Sequence, residues 1–92
     1  EDRSRWMIKK DGVWGLIDDK AKIIITPQYD KLDYYRGYAC VEKQHRAGML
    51  DKNGKVIVPL RYDSIVRLAG DSVRAYRQGI AVLINKKGKV VF

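Results

Sequence analysis

An all-β repeat fold is what this sequence predicts, and three observations carry it. Residues 50–58, Leu-Asp-Lys-Asn-Gly-Lys-Val-Ile-Val, are echoed by residues 17–25 and 84–92. Each copy has an apolar residue leading into Asp or Asn, a short polar turn, a Lys and a β-branched run. The spacing is nearly constant: 33 residues from Gly15 to Gly48 and from Tyr29-Asp30 to Tyr62-Asp63, and 34 from Gly54 to Gly88. Between the turns, apolar and polar residues alternate with the period of two that marks a half-buried strand. The expectation is three repeated antiparallel three-stranded meanders, about 33–34 residues each, forming a compact repeat array or a barrel-like body. Repeats of this size cannot bury their apolar faces singly, so neighbours must supply the core. Pseudo-threefold closure, as in a β-trefoil, is the alternative architecture. One domain spans 1–92, with units at about 5–37, 38–72 and 73–92, and the lack of an initiator Met leads us to expect a fragment of a larger protein.

The first strand of each unit falls at residues 5–10, 38–43 and 73–77. Trp6 and Ile8, Ala39 and Val41, and Val73 and Ala75 occupy equivalent columns. Asp11-Gly12 and Gln78-Gly79 then read as hairpin turns, because Gly accepts positive φ without penalty. The second strands align residues 13–17, 46–50 and 80–84. Gly15 and Gly48 lie inside these strands, where glycine implies a bulge or the close approach of another group, and close packing is favoured. The second turns, residues 18–22, 51–55 and 85–89, open on Asp or Asn, which suits a type I turn closed by a left-handed glycine. Ala21 replaces that glycine in the first copy. Left-handed φ costs Ala about 1–2 kcal/mol, so a differently shaped turn is expected there. The third strands, residues 23–26, 56–58 and 90–92, are nearly unbroken apolar runs, which suggests burial on both faces. Pro27 and Pro59 are expected to end the first two. The connectors, residues 31–37 and 64–70, are read equally well as a bent fourth strand or a helical turn.

The run Gly12-Val13-Trp14-Gly15-Leu16-Ile17-Asp18, followed by Lys22-Ile23-Ile24-Ile25, Pro27 and Tyr29-Asp30, resembles the bacterial WG-repeat (KWG-type) family. The likeness covers residues 8–92. Departures are Ala47-Gly48 in the second unit and Ala81-Val82 in the third, so only the first keeps the Trp-Gly pair. The resemblance implies tandem β-rich modules that mediate binding, with no enzyme activity attached and the ligand left open.

Composition narrows the function further. At 46% hydrophobic residues, the chain is not of the disordered class, and no apolar run approaches the about 18 residues of a membrane-spanning helix. The opening residues Glu1-Asp2-Arg3-Ser4-Arg5 lack the apolar stretch of a signal peptide. The single Cys40 leaves the fold to packing without an internal disulfide and fits a reducing compartment such as the cytoplasm. The net charge of +8 is uneven, with nine basic and eight acidic residues in 1–45 but ten and three in 46–92. Such asymmetry favours an anionic partner, with solubility charge on edge strands as the rival explanation.

Catalytic chemistry finds little footing. Cys40 and His45 are five residues apart, which places them on opposite faces of an extended strand unless a turn intervenes. One Cys and one His cannot complete a zinc site, and Asp18, Asp19, Asp51 and Asn85 sit where turns need side-chain acceptors. Asp30 and Asp63 read as corner fixtures that accept local N–H groups, with Tyr29 and Tyr62 packing inward. No glycine pattern suits a phosphate loop. No catalytic residue, metal or cofactor is therefore expected. The binding lead is basic and aromatic: Arg61, Arg67, Arg74, Arg77, Lys86, Lys87 and Lys89 with Tyr76, beside a Tyr-rich connector of Tyr34, Tyr35, Arg36 and Tyr38. The partner expected is a protein or the rest of the parent chain. The alternative is nucleic acid or another polyanion. A third reading, cell-wall or glycan binding, requires Trp6 and Trp14 side by side in a groove.

Overall fold

The computed structural model describes residues 5–35, 37–68 and 72–91, and every regular element among them is a strand. Sheet 1 contains β1 (Arg5–Lys10), β2 (Val13–Asp18) and β3 (Ile23–Tyr29) in that order. Sheet 2 contains β4 (Lys31–Tyr35), β5 (Tyr38–Lys43), β6 (Arg46–Asp51) and β7 (Val56–Tyr62). Sheet 3 contains β8 (Ser64–Arg67), β9 (Ser72–Arg77) and β10 (Ile80–Asn85), with β9 in the middle. All pairings are antiparallel.

The connectors are strands, and each joins the sheet that follows it: β4 pairs with β5, and β8 with β9. Sheet boundaries therefore fall at Asp30 and Asp63 rather than at residues 37 and 72. The sheets stack as an open array, not as a closed barrel or trefoil, because sheet 2 lends one face to each neighbour. Ala39, Val41 and Leu50 meet Leu16, Ile25 and Tyr29 of sheet 1. Tyr38 and Met49 turn the other way, to Val73, Ala75 and Ile84 of sheet 3.

Local sequence explains each turn. Asp11-Gly12, Gln44-His45 and Gln78-Gly79 all have both residues at positive φ, which is the twist a two-residue hairpin needs. In the second turns one side-chain oxygen closes the loop three times over. Asp18 Oδ1 accepts the Lys20 and Lys22 N–H groups, Asp51 Oδ1 those of Asn53 and Lys55, and Asn85 Oδ1 those of Lys87 and Lys89, at 2.8–3.0 Å.

Four expectations are corrected. Ala21 adopts φ 63° in a turn hydrogen-bonded like the others, so the loop imposes its shape despite the missing glycine. Pro27 and Pro59 lie inside β3 and β7 rather than at their ends. Both are edge strands with shifted register, where a missing N–H leaves no ladder bond unmade. For the same reason the β-branched runs are not covered on both faces: Ile23 and Val56 are 56% and 57% exposed. The third strand expected at residues 90–92 is reduced to an Ile84–Val90 bridge and a Val91 N–H to Leu83 carbonyl bond, and Phe92 lies outside the described residues.

The strand glycines do mark close packing. A Cβ on Gly48 would sit 2.5 Å from the Val58 carbonyl oxygen and 2.9 Å from that of Pro59, and Gly15 faces Ile25 and Pro27 in the same way. The turn glycines seat one unit on the unit before. A Cβ on Gly54 would lie 2.7 Å from the Ile24 carbonyl oxygen, and one on Gly88 2.7 Å from that of Ile57. Ala21 is exposed, which is where an alanine can be carried.

Two stability measurements follow. Gly48→Ala should lower the unfolding free energy by about 2–3 kcal/mol in a urea melt, because the obstacle is backbone that cannot swing aside. Ala21→Gly should raise it by about 0.5–1 kcal/mol, the left-handed strain relieved being larger than the extra chain entropy of glycine.

Candidate functional site

The Tyr-rich connector divides along the strand period. Tyr38 is 1% exposed in the core between sheets 2 and 3, Tyr34 packs on the core between sheets 1 and 2, and Tyr35 faces solvent. Tyr34 and Tyr38 therefore hold sheets together, Tyr34 on one face of the ladder and Tyr38 on the other, opposite its cross-strand partner Tyr35. Arg36 lies outside the described residues.

Arg67 is also engaged inward. Its guanidinium stacks 4.4 Å from the Tyr35 ring centroid and 5.8 Å from that of Tyr38. Nη1 lies 2.8 Å from the Asp33 carboxylate, and Nη2 donates to the Asp33 carbonyl at 3.2 Å. The group thus clamps β8 of sheet 3 onto β4 of sheet 2. Asp33 and Arg67 are 34 residues apart, nearly one repeat, and nothing in either local pattern marks them as partners.

The remaining basic residues reach the surface in three places. Arg61 from β7 and Arg77 from the end of β9 line one open cavity of about 330 Å³, together with Tyr62, Gln78, Ile80 and Val82. Arg74 lies on the far face of sheet 3, where it donates to the Tyr76 hydroxyl at 3.4 Å and lines a cavity of about 240 Å³ with Ala81, Val82 and Leu83. Lys86, Lys87 and Lys89 are exposed on the second turn of the last unit, whose backbone is held by Asn85 and seated on Ile57 through Gly88. Ile80 and Val82 were not among the expected contact residues. The available signal was Val82 in the column held by Gly15 and Gly48.

The corner acids act at longer range than expected. Asp30 Oδ2 accepts the Gln44 N–H at 3.0 Å, and Asp63 Oδ2 accepts that of Gln78 at 2.8 Å, so each corner caps the next unit's hairpin. Asp63 also pairs with the exposed Arg46. Hydrogen bonds from the Lys22 and Lys20 N–H groups, with nearby Arg5 and Lys22, hold the Asp18 carboxyl below its usual value, with partial burial opposing. Among the described residues no three His, Cys, Asp or Glu side chains gather in a metal-binding group.

Cys40 lies on β5 beside a cavity of about 190 Å³, lined also by Asp33, Glu42, Ile65 and Arg67, while His45 is exposed in the hairpin turn. Trp6 and Trp14 occupy opposite faces of sheet 1, since Trp6 pairs with Ile17 and Trp14 with Lys9, so the groove required by the glycan reading does not form. Trp14 instead packs on the core, with the Lys9 ammonium 5.5 Å from its ring centroid.

Stacked sheets, each seated on its neighbour by turn glycines and corner acids, define an open β-repeat array. The family model for the WG containing repeat matches residues 14–44 and 48–70, more than half of the chain, and the chain belongs to that family. No curated protein and no solved structure gave a match.

Burial pushes the Cys40 thiol up to about 11, with Asp33 adding to the effect and Arg67 opposing it. A thiol kept protonated by the fold contributes stability below its ordinary value of 9.0 and loses it as pH rises towards 11. Alkylation of Cys40 at pH 9 should accordingly be about tenfold or more slower in the native chain than in urea, as read by mass spectrometry.

Proposed function

We propose that this chain is a non-catalytic binding module that docks a protein partner, or another part of its parent chain, through the basic surface of its later units. The observation that carries the reading is the convergence of Arg61 and Arg77, from different sheets, on one open cavity that also has an aromatic and an aliphatic wall. Arg and Tyr beside apolar surface are the residues that dominate protein interfaces. Tyr35 adds an exposed ring stacked on Arg67, whereas Tyr34, Tyr38 and Arg67 contribute by holding the sheets together.

The second reading is binding of nucleic acid or another polyanion, favoured by the exposed turn of Lys86, Lys87 and Lys89. A pull-down at low and high salt separates the two. The protein-binding reading expects a partner that resists nuclease and stays bound as salt rises, and that is reduced when Arg61 and Arg77 are changed to Glu. Capture that falls steeply with salt, disappears with nuclease and is abolished by Lys86→Glu, Lys87→Glu and Lys89→Glu together would instead establish the polyanion reading.

A further inference from the structure

The two kinds of turn leave the array at opposite ends of its strands. β7 runs from Val56, beside a second turn, to Tyr62 at the corner, so the Arg61 cavity lies at the other end of the strand from that turn. The second turns form a row along one flank. Gly54 rests on Ile24, just past the first of these turns, and Gly88 rests on Ile57, just past the next. With sheets stacked about 10 Å apart, the three tips span about 20 Å.

Each tip ends on the same pair of side chains, an exposed Lys followed by an exposed aliphatic residue: Lys22-Ile23, Lys55-Val56 and Lys89-Val90. The turn requires neither. Asp18, Asp51 and Asn85 take only the backbone N–H of the Lys, and Ile23, Val56 and Val90 belong to neither core cluster. The exposure is not that of a chain end. Val56 has the Gly54 turn seated before it and the Gly88 turn seated after it, yet is 57% exposed, close to the 56% of Ile23. The charge is one-sided as well. The three turns contain seven Lys against three Asp, and Asp18 and Asp51 are turned onto their own loops.

We infer that this flank docks on an anionic lipid surface, the Lys ammonium groups meeting the headgroups and the aliphatic side chains entering the boundary beneath them. Lys and aliphatic residues side by side match a surface whose charge overlies hydrocarbon. A phosphate backbone alone would use the Lys and leave Ile23 and Val56 in water, and no aromatic ring stands in the three turns to stack on a base. Because the pair repeats from sheet to sheet, its complement repeats too, as headgroups do. The site is separate from the Arg61 and Arg77 cavity and goes beyond the protein-binding reading.

The test is co-sedimentation of the chain with vesicles of phosphatidylcholine alone, or of phosphatidylcholine and phosphatidylserine in equal parts, at low and high salt. Binding should require phosphatidylserine and weaken as salt rises. Lys22→Ala, Lys55→Ala and Lys89→Ala together should lower the partition coefficient about a hundredfold, about fivefold for each charge. Ile23→Thr with Val56→Thr, which keeps both charge and β-branched shape, should lower it about tenfold. Both sets lie at exposed positions, and their urea melts should match that of the unchanged chain. A lowered melt would assign the pairs to the fold instead and overturn the inference. So would absence of binding, equal binding to phosphatidylcholine alone, or full binding by the Thr variant. Duplex DNA that displaces the vesicles, with the same dependence on Lys and none on the Thr changes, would give the flank to nucleic acid. After any such failure, a salt-resistant protein still captured through Arg61 and Arg77 would leave the protein-binding reading standing.

Discussion

The interaction on which the rest depends is the burial of both faces of sheet 2. Ala39 and Met49 are completely buried and Leu50 is 4% exposed, yet they point in opposite directions, to different neighbours. Burying a side chain of Leu or Met size contributes about 1.5–3 kcal/mol. The exposed Arg46–Asp63 pair is of the kind worth about 0–1 kcal/mol. Stacking outweighs surface pairing, and none of the three sheets could keep its apolar face from water alone. The array is accordingly a nearest-neighbour structure, in which each sheet is stabilised by what it lends to the next.

That dependence explains why the motif holds glycine in two different places. Gly15 and Gly48 let a proline-bearing edge strand cross tightly over their own sheet, whereas Gly54 and Gly88 let a turn settle on the preceding one. The corner acids complete the joint. Asp30 and Asp63 end one sheet and cap the hairpin of the next, so the strained Gln44 and Gln78, both at positive φ, have their N–H groups satisfied from across the sheet boundary. The Tyr-Asp corner is therefore a coupling between units rather than a closure within one.

What the sequence made legible was whatever repeats. The hairpins, the Asp and Asn turn acceptors and the close contact at the strand glycines all recur, and recurrence separates them from chance. The strand nature of the connectors did not show, because five residues such as Lys-Leu-Asp-Tyr-Tyr satisfy a period of two and a bent turn equally well. Pro27 misled for a related reason. A proline ends a central strand but is tolerated at an edge, and edge position is a property of the assembled sheet. Arg67 was legible as a cation and not as a clamp, since its partners Asp33 and Tyr35 sit on the preceding sheet at a distance no local pattern encodes.

The third unit departs from the motif on the face turned away from sheet 2 and in the glycine column of its second strand. Arg74 and Tyr76 stand in the columns of Met7 and Lys9 on the far face, and Val82 stands in the column of Gly15, packed against the core between sheets 2 and 3. The columns that face sheet 2 keep their apolar character, with Val73, Ala75 and Ile84 all at most 1% exposed. Stacking on sheet 2 thus fixes one side of sheet 3. Arg61 and Arg77 belong to that same border, one on each side of the boundary between sheets 2 and 3, so the basic surface exists only while the two sheets stay stacked. Binding there would select for the stacked arrangement, and the packing that stabilises the array is also what holds the two guanidinium groups on one cavity.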